Sequence, residues 1–212
     1  MPNGLLNVLL LVPVFLFSLC VHEFAHGWVA SLCGDPTPEE SGRLTLHPMA
    51  HADLWGTLLI PIICIYNGWP FIGWAKPVPV DVTRMKRGRT DMALVAAAGP
   101  ASNLILALLS TAFLGVRVRL PLEHNLMETL QTFSVVSIQV NLMLAFFNLI
   151  PLPPLDGFNV LQGFLPVRAV VTILRYGQHA HLILFVLLFT GGLRFILAPV
   201  QIGFRYLVGL VT

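Results

Sequence analysis

The chain has 212 residues, of which 56% are hydrophobic and only 10% charged, with a mean hydropathy of +0.81. A soluble globular domain carries about 25% charged residues, so a water-soluble enzyme is excluded and an integral membrane protein is expected. The net charge of +2 supplies no broad basic surface, and no nucleic-acid partner is expected.

The first apolar run, Leu5 to Leu32, exceeds the roughly 20 residues that cross a hydrocarbon core of about 30 Å. Pro13 removes one backbone donor within it. The flanks lack the basic region and small-residue cleavage site of a signal peptide, so the run is expected to be kept as a span. Near its end stands His22-Glu23-Phe24-Ala25-His26, an H-E-x-x-H motif. Residues four apart on a helix are offset by roughly 40° and about 6 Å, so both imidazoles face one point. Zinc favours neutral imidazole, and a catalytic zinc takes a third protein ligand and keeps an open position for water. Glu23 lies on the adjoining face, where it can take a proton from that water. On a soluble helix such a trio is most often surface decoration. At membrane depth it costs several kcal/mol unless paired or metal-bound, which makes the metal reading the stronger.

Gly34 to Gly42 reads as loop, and Arg43-Leu44-Thr45-Leu46 alternates as a short strand does. Leu54 to Trp74 is apolar but punctuated by Pro61, Asn67-Gly68, Trp69-Pro70 and Gly73. Lys76, Arg84, Lys86, Arg87 and Arg89 form the densest basic cluster, which the positive-inside rule places in the cytoplasm. If the first span also ends there, Leu54 to Trp74 must return to the side it left, so a re-entrant hairpin is favoured over a crossing. Lys76 to Asp81 is expected to be extended, since each residue before a proline is pushed out of the helical region. Met92 to Gly115 and Thr132 to Ile150 are two further spans, joined by a polar link with Arg117, Arg119, Glu123, His124 and Glu128. The stretch from Asp156 to Gln178, with Arg168 and Arg175, is expected in the cytoplasm. His181 to Gly209 is a last apolar segment, broken around Gly191-Gly192 and Pro199.

A third zinc ligand is needed, and Asp156 is the candidate. It follows Pro151, Pro153 and Pro154, which end a helix and stiffen the approach, and it precedes Gly157, which permits a turn with positive φ. Taken alone Asp156 reads equally well as a turn aspartate. Beside H-E-x-x-H, in a chain with only ten acids, the ligand reading is the stronger. In Ala98-Gly99-Pro100-Ala101-Ser102-Asn103, Gly99 lets helices approach closely. Asn103 is an amide on an apolar helix that wants a partner, either as interhelical glue or in binding substrate backbone or the oxyanion. Asn148 carries the same two readings. Cys20, Cys33 and Cys64 have neither C-x-x-C spacing nor an even count, and they read as small buried apolar residues.

H-E-F-A-H in the first span, A-G-P-x-x-N in a middle span and N-x-x-P-x-P-x-L-D-G at the end of the next together resemble the site-2 protease family of intramembrane zinc metalloproteases, in its compact form without PDZ or CBS domains. The resemblance covers roughly residues 5 to 165. It implies one catalytic Zn2+ held by His22, His26 and Asp156, with Glu23 as general base and later acid. Asn148 would help hold the scissile carbonyl or the site geometry, and Asn103 occupies the corresponding place in the A-G-P element. Arg43 to Leu46 falls where family members place a membrane-associated β-element that presents extended substrate. The Leu54 to Trp74 segment and Gly73 to Pro79 resemble one subgroup only.

The expected architecture is an all-α integral membrane protein in one domain over residues 1–212. It would be a polytopic bundle of about four to six membrane segments with a small β-element and a re-entrant segment. The expected activity is hydrolysis of peptide bonds in or near transmembrane segments, in regulated intramembrane proteolysis. Its partners would be the lipid bilayer and a single-span protein or leftover signal peptide. The expected location is a prokaryotic cell membrane with the site toward the cytoplasm. His51 is weighed as a gate or transient zinc ligand, against the plainer reading of His47 and His51 as interfacial; His179 and His181 read as interfacial. A scaffold with a closed structural zinc and an ion or proton transporter are the rival functions.

Overall fold

The computed structural model describes residues 2–67, 73–117, 123–177 and 180–211. In chain order the helices are α1 (Pro2–Leu32), α2 (Thr37–Glu40), α3 (Pro48–His51), a π-helical turn (Leu54–Leu59) that runs into α4 (Ile60–Asn67), then α5 (Arg89–Arg117) and α6 (His124–Asn148). They are followed by α7 (Asp156–Gln162), α8 (Val167–Gly177), α9 (Ala180–Phe189), α10 (Leu193–Ile196) and α11 (Ala198–Gly209). Among the described residues three helices are long and apolar enough to cross a membrane, over Leu9–Leu32, Arg89–Val116 and His124–Asn148. The protein is therefore an all-helical membrane protein among its described residues.

α1 continues through Pro13. Without water to compete for the remaining carbonyls, the loss of one backbone bond does not end the helix. α6 begins at His124, well before the expected Thr132, because Leu126, Met127, Glu128, Leu130 and Gln131 are all good helix formers whatever their polarity.

The three long helices pack together. His26 meets Val95 and His22 meets Asn103, so α1 and α5 run antiparallel. Asn103 meets Asn141 and Ser110 meets Ser137, so α5 and α6 do the same. α1 and α6 are consequently parallel, and the chain leaving α6 emerges beside the second half of α1. Apolar side chains fill the joints. Val14, Phe15 and Leu19 meet Val140 and Leu144, while Ala107, Leu114, Ile138 and Leu142 meet Leu197 and Val200 near α11. The outward face of α5 presents Ile105, Leu108 and Leu109, all more than half exposed, at the one-face spacing a lipid-facing stripe has.

Two expectations for the connecting segments are revised. Arg43 to Leu46 is not a strand but bent chain. Its polar groups are satisfied locally: Thr45 O accepts from His51 Nε2 at 2.7 Å, and Arg43 donates to Ala50 O, so no partner strand is required. The loop from Gly34 to Gly42 contains the short α2. The last apolar segment is divided at the expected breaks, with Gly191 at φ +76° after α9 and Pro199 in the first turn of α11. Gly68, Trp69, Pro70, Arg119, Gln178 and His179 lie outside the described residues.

From the π-helical turn and α4 the chain comes back to its own start. Trp74 N donates to Gly56 O at 3.0 Å, Thr57 Oγ1 donates to Trp74 O at 2.9 Å, and Lys76 N donates to His51 O at 2.8 Å. A continuous helical stretch from Leu54 to Asn67 covers about 21 Å, short of a full crossing. Beyond it, residues 73–81 are extended, as the Pro77 and Pro79 spacing dictates.

Candidate metal centre

His22 and His26 are both buried on α1, 4% and 9% exposed, and their rings meet edge to face. Their Nε2 atoms stand 3.0 Å apart. Asp156, the first residue of α7, brings Oδ2 to 3.2 Å from His22 Nε2 and 3.4 Å from His26 Nε2. The prolines before it prevent α6 from continuing, and Leu155 is extended ahead of α7, so the chain turns back toward α1. Gly157 does not take the expected positive φ but lies in the first turn of α7, where glycine is needed because a β-carbon would run into the carbonyls of Leu149 and Ile150. The far end of α7 is tied down by Arg89 Nη2, which donates to Gln162 O and Leu165 O. Arg89, which reads as part of a topology signal, thus also braces the helix that carries Asp156.

The outer shell decides the protonation of both rings. His22 Nδ1 lies 2.7 Å from Asn103 Oδ1, and His26 Nδ1 lies 2.7 Å from Val95 O. Both partners can only accept, so each Nδ1 carries its proton and each neutral ring presents a bare lone pair at Nε2. Two such lone pairs and a carboxylate oxygen therefore point at one place, all within 4.8 Å of one another. Asp156 Oδ2 is buried and has no hydrogen-bond partner despite its two near neighbours. With both rings neutral, these three converging acceptors repel unless a proton or a metal cation joins them. Two imidazoles and one carboxylate fit the three-ligand set of a catalytic zinc, and the second shell is of the kind that orients such ligands.

Gly99 makes room for this arrangement, because a β-carbon there would stand 2.6 Å from Cε1 of both His22 and His26. Gly99 is ten residues into α5, about 15 Å from its start. The centre is thus well inside the bundle but nearer the end from which Arg87 and Arg89 project.

A cavity of about 260 Å³ opens onto the ligands, lined also by Glu23, Pro77, Val78, Met92, Asn148 and Asn159. Glu23 Oε2 accepts from Val78 N at 2.8 Å, so the extended strap at 76–81 lies across the general-base candidate. The strap is anchored beyond the site, where Asp81 N donates at 2.6 Å to Asp35, a fully buried carboxylate. Asn148 lines the cavity while its Nδ2 donates back to Leu144 O at 3.0 Å. Asn103 is fully buried and faces His22, Asn141 and Ser18 O, with no wall in the cavity.

His51 is not among the converging groups. It is 1% exposed and spends Nε2 on Thr45 O, while His47 is exposed. All three cysteines are free, with Cys20 and Cys64 buried as expected and Cys33 half-buried. Burial and the neighbouring Asp91 push the Cys33 thiol up, away from the thiolate a metal would need.

Four participants escape a reading by motif. The carbonyl of Val95 and the N–H of Val78 are backbone groups with no signature. Ser18 contributes only its carbonyl. Asn141 has a weak signal: it stands seven residues, two helical turns, before Asn148 on an apolar span, where a second amide calls for a partner.

The fold and site define a class: a helical membrane protein with a His, His, Asp cation centre and an acid beside it. The family model described as peptidase family M50 matches residues 10–138 and 116–191. The chain belongs to that peptidase family. It is 41% identical over 186 residues to zinc metalloprotease YwhC of Bacillus subtilis, covering 83% of this chain and 80% of that one. It is 32% identical over 186 residues to zinc metalloprotease Rip2 of Mycolicibacterium smegmatis, covering 87% and 68% respectively. No solved structure matches the chain.

Proposed function

We propose that this protein is a zinc-dependent intramembrane endopeptidase that cleaves peptide bonds in or near the transmembrane segments of other membrane proteins. The observation that carries the reading is the convergence of His22, His26 and Asp156 on one point, with Glu23 in the same cavity, inside a bundle of membrane-length helices. Those three side chains hold the metal, and a bound zinc supplies Lewis acidity toward the scissile carbonyl and toward water. Glu23 takes the proton of the attacking water and returns it to the leaving amine, so that it ends the cycle ionised. Val78 N–H orients the Glu23 carboxylate, and Asn148 is positioned in the cavity wall to receive a substrate carbonyl or backbone N–H.

An unwound substrate fits against the strap. Lys76 N–H and Val78 N–H are used inward on His51 O and Glu23, and Pro77 and Pro79 have no N–H. From Lys76 to Pro79 the strap therefore has no N–H left for a partner, so a peptide beside it gives up N–H groups to strap carbonyls and keeps its own carbonyls for the site. This replaces the β-element expected at Arg43 to Leu46 as the surface for extended substrate.

A closed structural zinc, the scaffold reading, needs a fourth protein ligand. The pairing of His51 with Thr45 O and the three-member donor set support the open, catalytic alternative. The return of Trp74 to Gly56 supports a re-entrant hairpin, and α9 and α11 add apolar segments toward the four to six expected in a single domain. The centre lies nearer the end marked by Lys86, Arg87 and Arg89, which by the positive-inside rule is the cytoplasmic end. Helix α8 supports the same placement, with exposed Val167, Val171 and Leu174 on one face flanked by Arg168 and Arg175, as on a helix lying at a membrane surface. The setting we favour is a prokaryotic cell membrane, with a single-span protein or leftover signal peptide as substrate in regulated proteolysis.

The test is reconstitution in vesicles with a single-span substrate. Wild type cleaves it and a zinc chelator stops the reaction. Glu23→Gln keeps its zinc and loses about 10²- to 10⁴-fold in rate, while Asp156→Ala loses zinc as well. Undiminished cleavage by Glu23→Gln, or full zinc occupancy in Asp156→Ala, refutes these roles.

A further inference from the structure

We infer that Asn141 is a positioning residue for the metal centre, acting through Asn103 to hold the His22 proton on Nδ1; this rests on the zinc reading above. Asn141 touches neither a ligand atom nor the metal cavity, and it is joined to His22 by a chain of hydrogen bonds whose direction is set at its far end. A backbone carbonyl can only accept, so Ser137 O turns the Asn141 amide to donate Nδ2 to it, at 2.9 Å. Asn141 Oδ1 is then the end that faces α5, and Asn103 meets it with Nδ2 at 2.9 Å. The same Asn103 amino group also reaches a second helix carbonyl, Ser18 O, at 3.3 Å. Both of its hydrogens are thereby committed to acceptors, and Oδ1 is left for His22 Nδ1 at 2.7 Å.

Polarity therefore runs one way, from two helix carbonyls through two amides to one imidazole. It requires the proton on Nδ1 and leaves the Nε2 lone pair for the metal. An Asn103 amide turned over would set its amino group against Nδ1 and select the other tautomer, whose Nε2–H cannot ligate. Asn103 is fully buried and Asn141 is 1% exposed, so neither amide is exchanged for bulk solvent. Beyond Asn141 the polar ladder ends in the Ser110 and Ser137 hydroxyls, 2.8 Å apart, which set no direction because either can donate.

The experiment uses the full chain in detergent micelles at pH 8. The His22 tautomer of the metal-free protein is read by 15N NMR of labelled histidine, and zinc affinity by competition with a chelator. Wild type is compared with Asn141→Leu, Asn103→Leu, the double variant and Ser110→Ala. Wild-type His22 is protonated at Nδ1. Asn141→Leu mixes the tautomers and weakens zinc binding about tenfold, at the lower end of the range for lost outer-shell partners. The double variant binds zinc no more weakly than Asn103→Leu alone, since Asn141 acts only through Asn103, and Ser110→Ala changes neither readout. Protonation at Nε2 in wild type, unchanged zinc affinity in Asn141→Leu, or a double loss equal to the product of the single losses overturns the inference. The wild-type tautomer needs no variant and decides the matter even if Asn141→Leu does not fold. A wild type that binds no zinc refutes the metalloprotease reading, and the tautomer still judges the relay separately.

Discussion

Gly99→Ala is the sharpest single perturbation of the centre. Its β-carbon would stand 2.6 Å from Cε1 of both His22 and His26, and nearer still to His26 Nε2. Non-bonded carbons rest about 3.5–4.0 Å apart, so the overlap is about 1 Å. α5 cannot simply withdraw from α1, because Val95 and Asn103, one turn to either side of Gly99, are bonded to the same two histidines at 2.7 Å each. The imidazoles must turn or those bonds must lengthen. Overpacking of this kind costs about 1–3 kcal/mol, and a displacement of about 1 Å at reacting groups costs about 10²-fold in rate, or about 2.7 kcal/mol. Gly99→Ala is therefore expected to lower zinc affinity and to reduce cleavage of a single-span substrate about 100-fold. Gly203→Ala is the control: its β-carbon would lie 3.8 Å from Leu142 Cδ1, an ordinary contact, and the change should stay within about twofold. Zinc affinity by chelator competition and cleavage in vesicles read both effects. A Gly99→Ala protein with wild-type affinity and rate refutes the close approach of α5 to the ligands.

Two further outcomes follow from the same geometry. Val78→Pro removes the N–H that Glu23 accepts at 2.8 Å, in a segment already extended between Pro77 and Pro79; a hydrogen bond to a charged group is worth about 1.5–3 kcal/mol, so cleavage falls roughly 10- to 100-fold at unchanged zinc content. Unchanged cleavage would remove the strap from the site. Zinc binding should also weaken on acidification, because His22, His26 and Asp156 ligate only in their deprotonated forms; zinc held in full at about pH 3 would refute that ligand set.

The sequence by itself determined the chemistry. Apolar length marks α1, α5 and the core of α6 as spans, and helical spacing alone brings His22 and His26 to one point. The prolines before Asp156 announce a rigid, non-helical approach, and Gly99 announces a close contact between helices, because proline and glycine act on the backbone locally. The strand at Arg43 to Leu46 failed for the converse reason: alternation is a local pattern, but a strand needs a partner, and here Arg43 N–H goes to Pro38 O and Thr45 O to His51 instead. Only the tertiary structure decided that Asp156 reaches both histidines, that Asn103 faces His22 with its oxygen, and that Val78 N–H holds Glu23. It also decided that the chain from Leu54 to Trp74 comes back to its start. Each of these joins residues far apart in the chain, and two of them use backbone N–H or C=O groups that every residue type carries. Side-chain identity has no purchase on such contacts. They exist because α1 and α5 run antiparallel at close range, which returns α6 and the turn after it to the one place where three lone pairs need a cation.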